Sequence, residues 1–280
     1  MADRMRGRVA LVTGAARGQG RSHAVRLAQE GANIIGLDIC GPVGRTADYY
    51  PPASEADLAE TASLVAATGK RMLAVRADVR SLDEVQHAVK QGVQEFGSLD
   101  TVVANAGIHQ FGDLVENTSE ESWRDVLAVN VDGVFLTCKA AIPYLSAGLE
   151  DRSIVIISST AGVKGFPHIG HYTASKHAVI GLMRSLALEL GPRGIRVNAI
   201  APTTVDTVMV QNDGLYRLYV PDKANPTRED FARKTTSLMA LPIPWAEPAD
   251  VSNAVLFLAS VEARCVTAHV LAVDAGALAL

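Results

Sequence analysis

Cysteine is scarce in this chain. Three cysteines, Cys40, Cys138 and Cys265, are spread over 280 residues. Their odd number and the lack of a CxxC pair exclude a disulfide framework and a zinc site of ordinary spacing, so no metal is expected. They read as reduced thiols of a cytoplasmic protein. Long basic runs are also missing, and the net charge is -4. An electrostatic grip on nucleic acid or on an anionic membrane is therefore not expected. Arg4, Arg6 and Arg8 are followed by no apolar stretch long enough for a signal peptide, and no run of about 18 apolar residues is present to span a bilayer. Neither an internal repeat nor a dividing linker appears, so residues 1–280 read as one domain. Hydrophobic residues at 48% and charged residues at 20% are ordinary for a globular protein.

Short runs of Val, Ile and Leu alternate with longer helical patterns. The runs are Val9–Val12, Asn33–Asp38, Met72–Ala77, Thr101–Ala104, Ile154–Ile157, Arg196–Ile200 and Val270–Val273. Their nearly continuous hydrophobicity is that of strands buried on both faces. Ser81 with Glu84 is a capping-box pattern, and Val179, Leu182, Met183, Leu186 and Leu190 recur at helical spacing before Gly191-Pro192. The expected fold is α/β, a single-domain Rossmann-type, doubly wound parallel sheet of about seven strands with helices on both faces. Two connections are long: an insertion near 40–53, rich in Pro and Tyr, and a segment near 203–248 read as a substrate lid.

The turn Thr13-Gly14-Ala15-Ala16-Arg17-Gly18-Gln19-Gly20 joins the first strand to the first helix. Glycines there let the backbone approach a pyrophosphate, and the helix N-terminus presents free N–H groups to it. The spacing differs from the commonest dinucleotide fingerprint, and a structural glycine turn is the alternative reading. Asp38, ending the second strand, sits where a carboxylate receives the adenosine ribose hydroxyls and repels a 2′-phosphate. That favours NAD over NADP, although Arg17 is a competing cue for a phosphate. Asn105-Ala106-Gly107 follows the fourth strand and Ser158-Ser159 ends the fifth. Tyr172 and Lys176, four residues apart, project from one helical face.

With those pieces assembled, the chain resembles the short-chain dehydrogenase/reductase family over essentially its whole length. The resemblance is carried by TGAARGQG at 13–20, Asp78-Val79, NAG at 105–107, Asn130, Ser159, YTASK at 172–176 and VDAG at 273–276. It implies a catalytic set of Asn130, Ser159, Tyr172 and Lys176. Tyr172 would be the general acid/base, its pKa lowered by Lys176, which would also hold the nicotinamide ribose. Ser159 would steady the substrate oxygen, and Asn130 would hold a water linking Lys176 to solvent. Ser158 reads as the turn-capping member of the serine pair, and His168 and His171 as loop or pocket-rim residues. Asp78 and Val79 would border the adenine, and Asn105, Ala106 and Gly107 would support the cofactor. Pro202, Thr203, Val205 and Thr207 would lie against the nicotinamide carboxamide, Pro202-Thr203 standing where many members have Pro-Gly.

The segment after Asp38 and the string PTTVDTVMVQNDGLYRLYVPDKANPTREDF are similar to a carveol dehydrogenase-like subfamily of actinobacteria. That resemblance implies a secondary alcohol/ketone substrate and NAD retained and recycled by a mycofactocin-type electron carrier. The insertion would fold over the adenosine half, or be a surface elaboration or subunit contact. Val205, Met209, Leu215, Tyr216, Leu218, Tyr219 and Trp245 offer an apolar lid, which suits a terpenoid-like substrate. Family members imply a homotetramer, with the apolar ending 275–280 at an interface. Two alternatives are a non-catalytic dinucleotide sensor, which has no use for a proton relay, and a sugar-nucleotide epimerase, which needs a larger C-terminal domain.

Overall fold

The computed structural model describes residues 3–145 and 152–280. The hydrophobic runs form β1 (Val9–Thr13), β2 (Asn33–Asp38), β3 (Met72–Arg76), β4 (Thr101–Ala104), β5 (Arg152–Ile157), β6 (Ile195–Pro202) and β7 (Val270–Val273). They pair in parallel in the order β3-β2-β1-β4-β5-β6-β7. Alternate side chains enter two separate cores, as the pleat requires. Leu11, Ile35, Val102 and Ile154 pack on one face, and Val12, Ile34, Val103 and Val155 on the other.

Helices cover both faces. The first core is closed by α3 (Leu82–Phe96), α5 (Gly133–Ala141) and α6 (Gly170–Leu190), and the second by α1 (Gly18–Gln29), α2 (Glu55–Ala66) and α9 (Pro248–Ala259). Ser81 caps α3 by accepting from Glu84 N, but the box is not reciprocal, because the Glu84 carboxylate accepts from Asp78 N at 2.9 Å instead. α6 stops at Leu190, and Gly194 takes a left-handed φ of 72° before β6 begins.

A further helix, α4 (Glu120–Leu127), runs through a π turn at Ala128–Asp132 into α5. This continuous run, Glu120–Tyr144, is long and apolar enough to cross a membrane by length and composition alone. Half of it is buried inside the protein, and its apolar residues Val126, Val134, Cys138 and Ala141 belong to the cores, which accounts for the composition.

Both long connections are ordered. The insertion forms a short 3-10 turn, Gly44–Asp48, before α2, and the lid region contains α7 (Asp213–Tyr219) and α8 (Arg228–Thr236). The chain leaves β3 and crosses to β4 on the far side of β1. The order reverses there, so a crevice opens beyond the carboxyl ends of β1 and β4, where open α/β sheets bind ligands.

Candidate active site

The crevice is built on Thr13. Its hydroxyl accepts from both Asn105 N and Ala106 N at 3.0 Å, and Asn105 Nδ2 donates to Thr13 O at 2.9 Å. The two strand ends are thereby locked, with the glycine turn folded against them. A Cβ built on Gly20 would lie 1.9 Å from the Gly14 carbonyl oxygen, and Gly14 itself has φ +67° beside Ala106. Only glycine fits this close approach. Arg17, at the N-cap of α1, gives no side-chain cap, so among the described residues no side chain covers the helix's first N–H groups. Asp38 is a clamp at the end of β2: Oδ2 accepts from Ala16 N at 3.0 Å and Oδ1 from Cys40 N at 2.9 Å. Each oxygen keeps a lone pair, and Asp38 lines the cleft with Gly14, Arg17, Gly18, Gln19, Gly20, Asp78, Val79, Asn105, Ala106, Gly107 and Thr207. Asp78 is paired with Arg80 at 2.6 Å, and Val79 is buried where Gly133 of α5 leaves room for it.

A second cavity, of about 500 Å³, adjoins the first and shares Met209 with it. Ser159, Tyr172 and His109 line it, with Leu215, Leu218 and Tyr219 from the lid. The Ser159 hydroxyl accepts from Ala161 N at 3.1 Å and stands close enough to the Tyr172 phenol to favour its ionised form. Burial pushes that phenol up to about 12, against the pull of Ser159. Lys176, one turn along α6, is buried, and Nζ donates to Ile157 O at 3.0 Å, 5.6 Å from the centre of the Tyr172 ring. Burial pushes its ammonium down to about 8. Ser158 Oγ donates to Lys176 O at 2.9 Å and so pins α6 to β5. Asn130 sits in the π turn with both amide hydrogens engaged: Oδ1 accepts from Ile108 N, and Nδ2 donates to Ile108 O and Ser175 Oγ, at 2.8, 3.0 and 3.1 Å. Asn130 Oδ1 and Lys176 Nζ lie 3.3 and 3.4 Å from where a Gly107 Cβ would be.

A family model described as enoyl-(acyl carrier protein) reductase matches residues 14–277. The (-)-trans-carveol dehydrogenase of Rhodococcus erythropolis is 49% identical over 98% of both chains. Carveol dehydrogenase from Mycobacterium avium, solved in complex with NAD, is 50% identical with a TM-score of 0.96, covering 99% of both chains. A short-chain dehydrogenase from Mycobacterium paratuberculosis, solved bound to NAD, is 43% identical with a TM-score of 0.89, covering 99% of this chain and 100% of that one. This chain belongs to the short-chain dehydrogenase/reductase family.

In this short-chain dehydrogenase some residues lie elsewhere than the sequence suggests. The Val205 side chain is buried in the core beneath the sheet rather than in the cleft, held by a bridge to Ala246. Pro202 ends β6 outside both cavities, and Thr203 lines the second cavity instead of the first. Tyr216 and Trp245 pack against Phe231 within the lid and do not line the cavity. The capping roles are reversed, since Ser159 caps the short 3-10 turn after β5 and Ser158 anchors α6. The phenol is raised rather than lowered, because loss of water disfavours phenolate more than Ser159 favours it. His168 lines the cavity as a rim residue, and His171, buried at the start of α6, borders a separate pocket with Val115, Thr118 and Trp123.

Gly41, Val43, Thr46, Tyr50 and Pro52 of the insertion line the cofactor cleft beside Ile39, the first of the placements the sequence left open for this segment, although none of these residues was singled out. One residue was missed. His109 lines the substrate cavity with its ring 4.4 Å from that of Tyr172, and no motif in the sequence marks it.

Proposed function

We propose that this NAD-dependent short-chain dehydrogenase interconverts a secondary alcohol and its ketone, on an apolar, terpenoid-like or other alicyclic substrate. The observation that carries the reading is the meeting of Ser159, Tyr172 and buried Lys176 at the junction of a glycine-floored cleft and an apolar cavity. The glycine turn, the uncapped start of α1 and the Asp38 carboxylate fit a dinucleotide with free ribose hydroxyls, and both solved relatives above carry NAD. When bound, NAD supplies the acceptor or donor of the hydride, and its oxidised ring adds positive charge that favours the phenolate.

The chain's own residues handle the oxygen and the proton. Ser159 holds the substrate oxygen, and Tyr172 takes the hydroxyl proton during oxidation and returns it during reduction. Lys176, fixed on Ile157 O, keeps the ammonium beside the phenol and passes the proton on. Because both amide hydrogens of the Asn130 side chain are engaged, a water in this relay would be held by its main-chain carbonyl in the π turn.

The insertion supports retention of NAD. Tyr50 is buried, lines the cleft with its ring 5.9 Å from the Arg17 guanidinium and accepts from His109 N at 3.1 Å. A cofactor held this way suits recycling in place by a mycofactocin-type carrier. Exposed Val115, Trp123 and Phe135 on and beside α4 and α5, with exposed Leu280, support a homotetramer, and the free thiols of Cys40, Cys138 and Cys265 suit the cytoplasm.

The test is mass spectrometry of the native protein for retained NAD, then dye-linked oxidation of an alcohol panel without added NAD. Tyr172→Phe is expected to lower turnover about 10²- to 10⁴-fold while leaving NAD bound. Substantial residual turnover would remove Tyr172 from the role.

A further inference from the structure

His109 has no part in the chemistry above, yet it is held with care. Its main-chain N–H donates to Tyr50 Oη at 3.1 Å, and its ring is wedged 4.4 Å from Tyr172 and 5.0 Å from Phe111. It lines the cavity that Ser159 and Tyr172 share. Nε2 is buried, with no hydrogen-bond partner among the described residues. Its buried neighbour His171 is no help, since both of that ring's nitrogens are in the same condition. A buried polar atom left without a partner is rare in folded proteins and calls for one from outside the chain. Burial, reinforced by the nearby charges of His171 and Lys176, pushes the His109 ring down to about 3. The imidazole is therefore neutral at working pH, with one nitrogen a donor and the other an acceptor. It suits a neutral oxygen better than an anion.

We infer that His109 is a specificity-determining residue whose Nε2 hydrogen-bonds a second oxygen of the substrate, one or two carbons from the reacting carbon. The distance follows from the packing: the imidazole lies one ring's width from the phenol that faces the reacting oxygen. The preferred class is then an alicyclic diol or hydroxyketone with an otherwise apolar body, and simple monoalcohols are poorer substrates because they leave Nε2 buried and unpaired. This deepens the secondary-alcohol reading and rests on it.

The test compares cyclohexanol with the cis and trans isomers of cyclohexane-1,2-diol and -1,3-diol, using the protein with NAD and a redox dye. At least one diol is expected to exceed cyclohexanol in kcat/KM by about tenfold or more, as for a buried group that is satisfied only by the right substrate. His109→Phe keeps a ring against Tyr172 and removes both nitrogens, so the ratio should fall to near one. His109→Leu serves the same purpose should the Phe variant fail to fold. If His109 merely packs against Tyr172, both substrate types lose rate together and the ratio is unchanged, which overturns the inference. Equal kcat/KM for cyclohexanol and every diol in the unaltered protein also overturns it. Should no alcohol be oxidised, the secondary-alcohol reading fails by itself, and calorimetry with 2-hydroxycyclohexanone and cyclohexanone decides the inference. Tenfold tighter binding of the hydroxyketone, lost in His109→Phe, sustains it; the absence of any preference overturns it.

Discussion

Removing one oxygen from Tyr50 tests how the insertion is held closed. In Tyr50→Phe the ring remains, so its buried packing and the Arg17 guanidinium 5.9 Å above it are kept. What is lost is the acceptor for His109 N, 3.1 Å away. Leaving a buried N–H unpaired costs about 1–3 kcal/mol. Tyr50 Oη is a direct hydrogen bond from the insertion to the segment leaving β4, so the cost falls on the closed position of residues lining the cofactor cleft. If NAD leaves only when the insertion opens, the same energy raises its release rate about 5- to 150-fold. Urea unfolding of the two proteins gives the stability difference. Stopped-flow release of NAD into an excess of a tight-binding competitor gives the rate. A drop in stability with an unchanged release rate would mean that the insertion does not gate the cofactor. No change in either would mean that the His109 N–H finds another partner.

Two other perturbations probe the scaffold. Gly20→Ala puts a methyl group 1.9 Å from the Gly14 carbonyl oxygen, so the glycine turn and the start of α1 must part. Overpacking of this kind costs about 1–3 kcal/mol or more, and NAD affinity measured by calorimetry should fall at least about tenfold; undiminished affinity would show that the turn is not the pyrophosphate cradle. His23 on α1, fully buried against Ser252 of α9, is pushed by burial down to about 3. Its unfolded imidazole titrates near about 6.5, so the folded state binds fewer protons below that value. The stability is fully present above about pH 6.5 and is lost progressively as the pH falls toward 3. By pH 4.5 the loss amounts to about 3 kcal/mol. Urea titrations at pH 7 and 4.5 should show a smaller difference in His23→Leu than in the unaltered protein, and an equal difference would refute the assignment.

What could be read in advance follows from where the information lies along the chain. The strands were legible because burial on both faces leaves continuous apolar runs, and β2, β4 and β7 begin and end where those runs do. β6 extends to Pro202 because it is flanked on both sides, by β5 and β7. The glycine turn, Asp38, and the Tyr172–Lys176 pair were legible because each is a local pattern tied to one strand end or one helix face. Side chains that act across the fold were not. Val205 reads like a lid residue, but only the bridge to Ala246 turns it into the core. Ser158 and Ser159 are chemically identical, and their different tasks depend on α6 arriving with Lys176 O beside one and the Tyr172 phenol beside the other. His109 and Tyr50, 59 positions apart, meet through no sequence pattern at all.

That long-range meeting explains how one extra loop can serve two chambers. Tyr49 rests its ring 4.7 Å from Phe111, and Phe111 is buried in a cluster with Leu215, Tyr216 and Phe231 of the lid. Phe111 is thus a common post, with the insertion leaning on it from the cofactor side and α7 and α8 from the substrate side. The tether of the insertion is separate, since Tyr50 is bonded to the backbone of His109 and not to any lid residue. Opening of α7 and α8 would remove apolar contacts from Phe111 without breaking the Tyr50 hydrogen bond or the Arg17–Tyr50 contact. The insertion and the two lid helices are thus fastened at different atoms, so the retention of NAD proposed above requires only that Tyr50 stay bonded to the His109 backbone while the Phe111 cluster loosens.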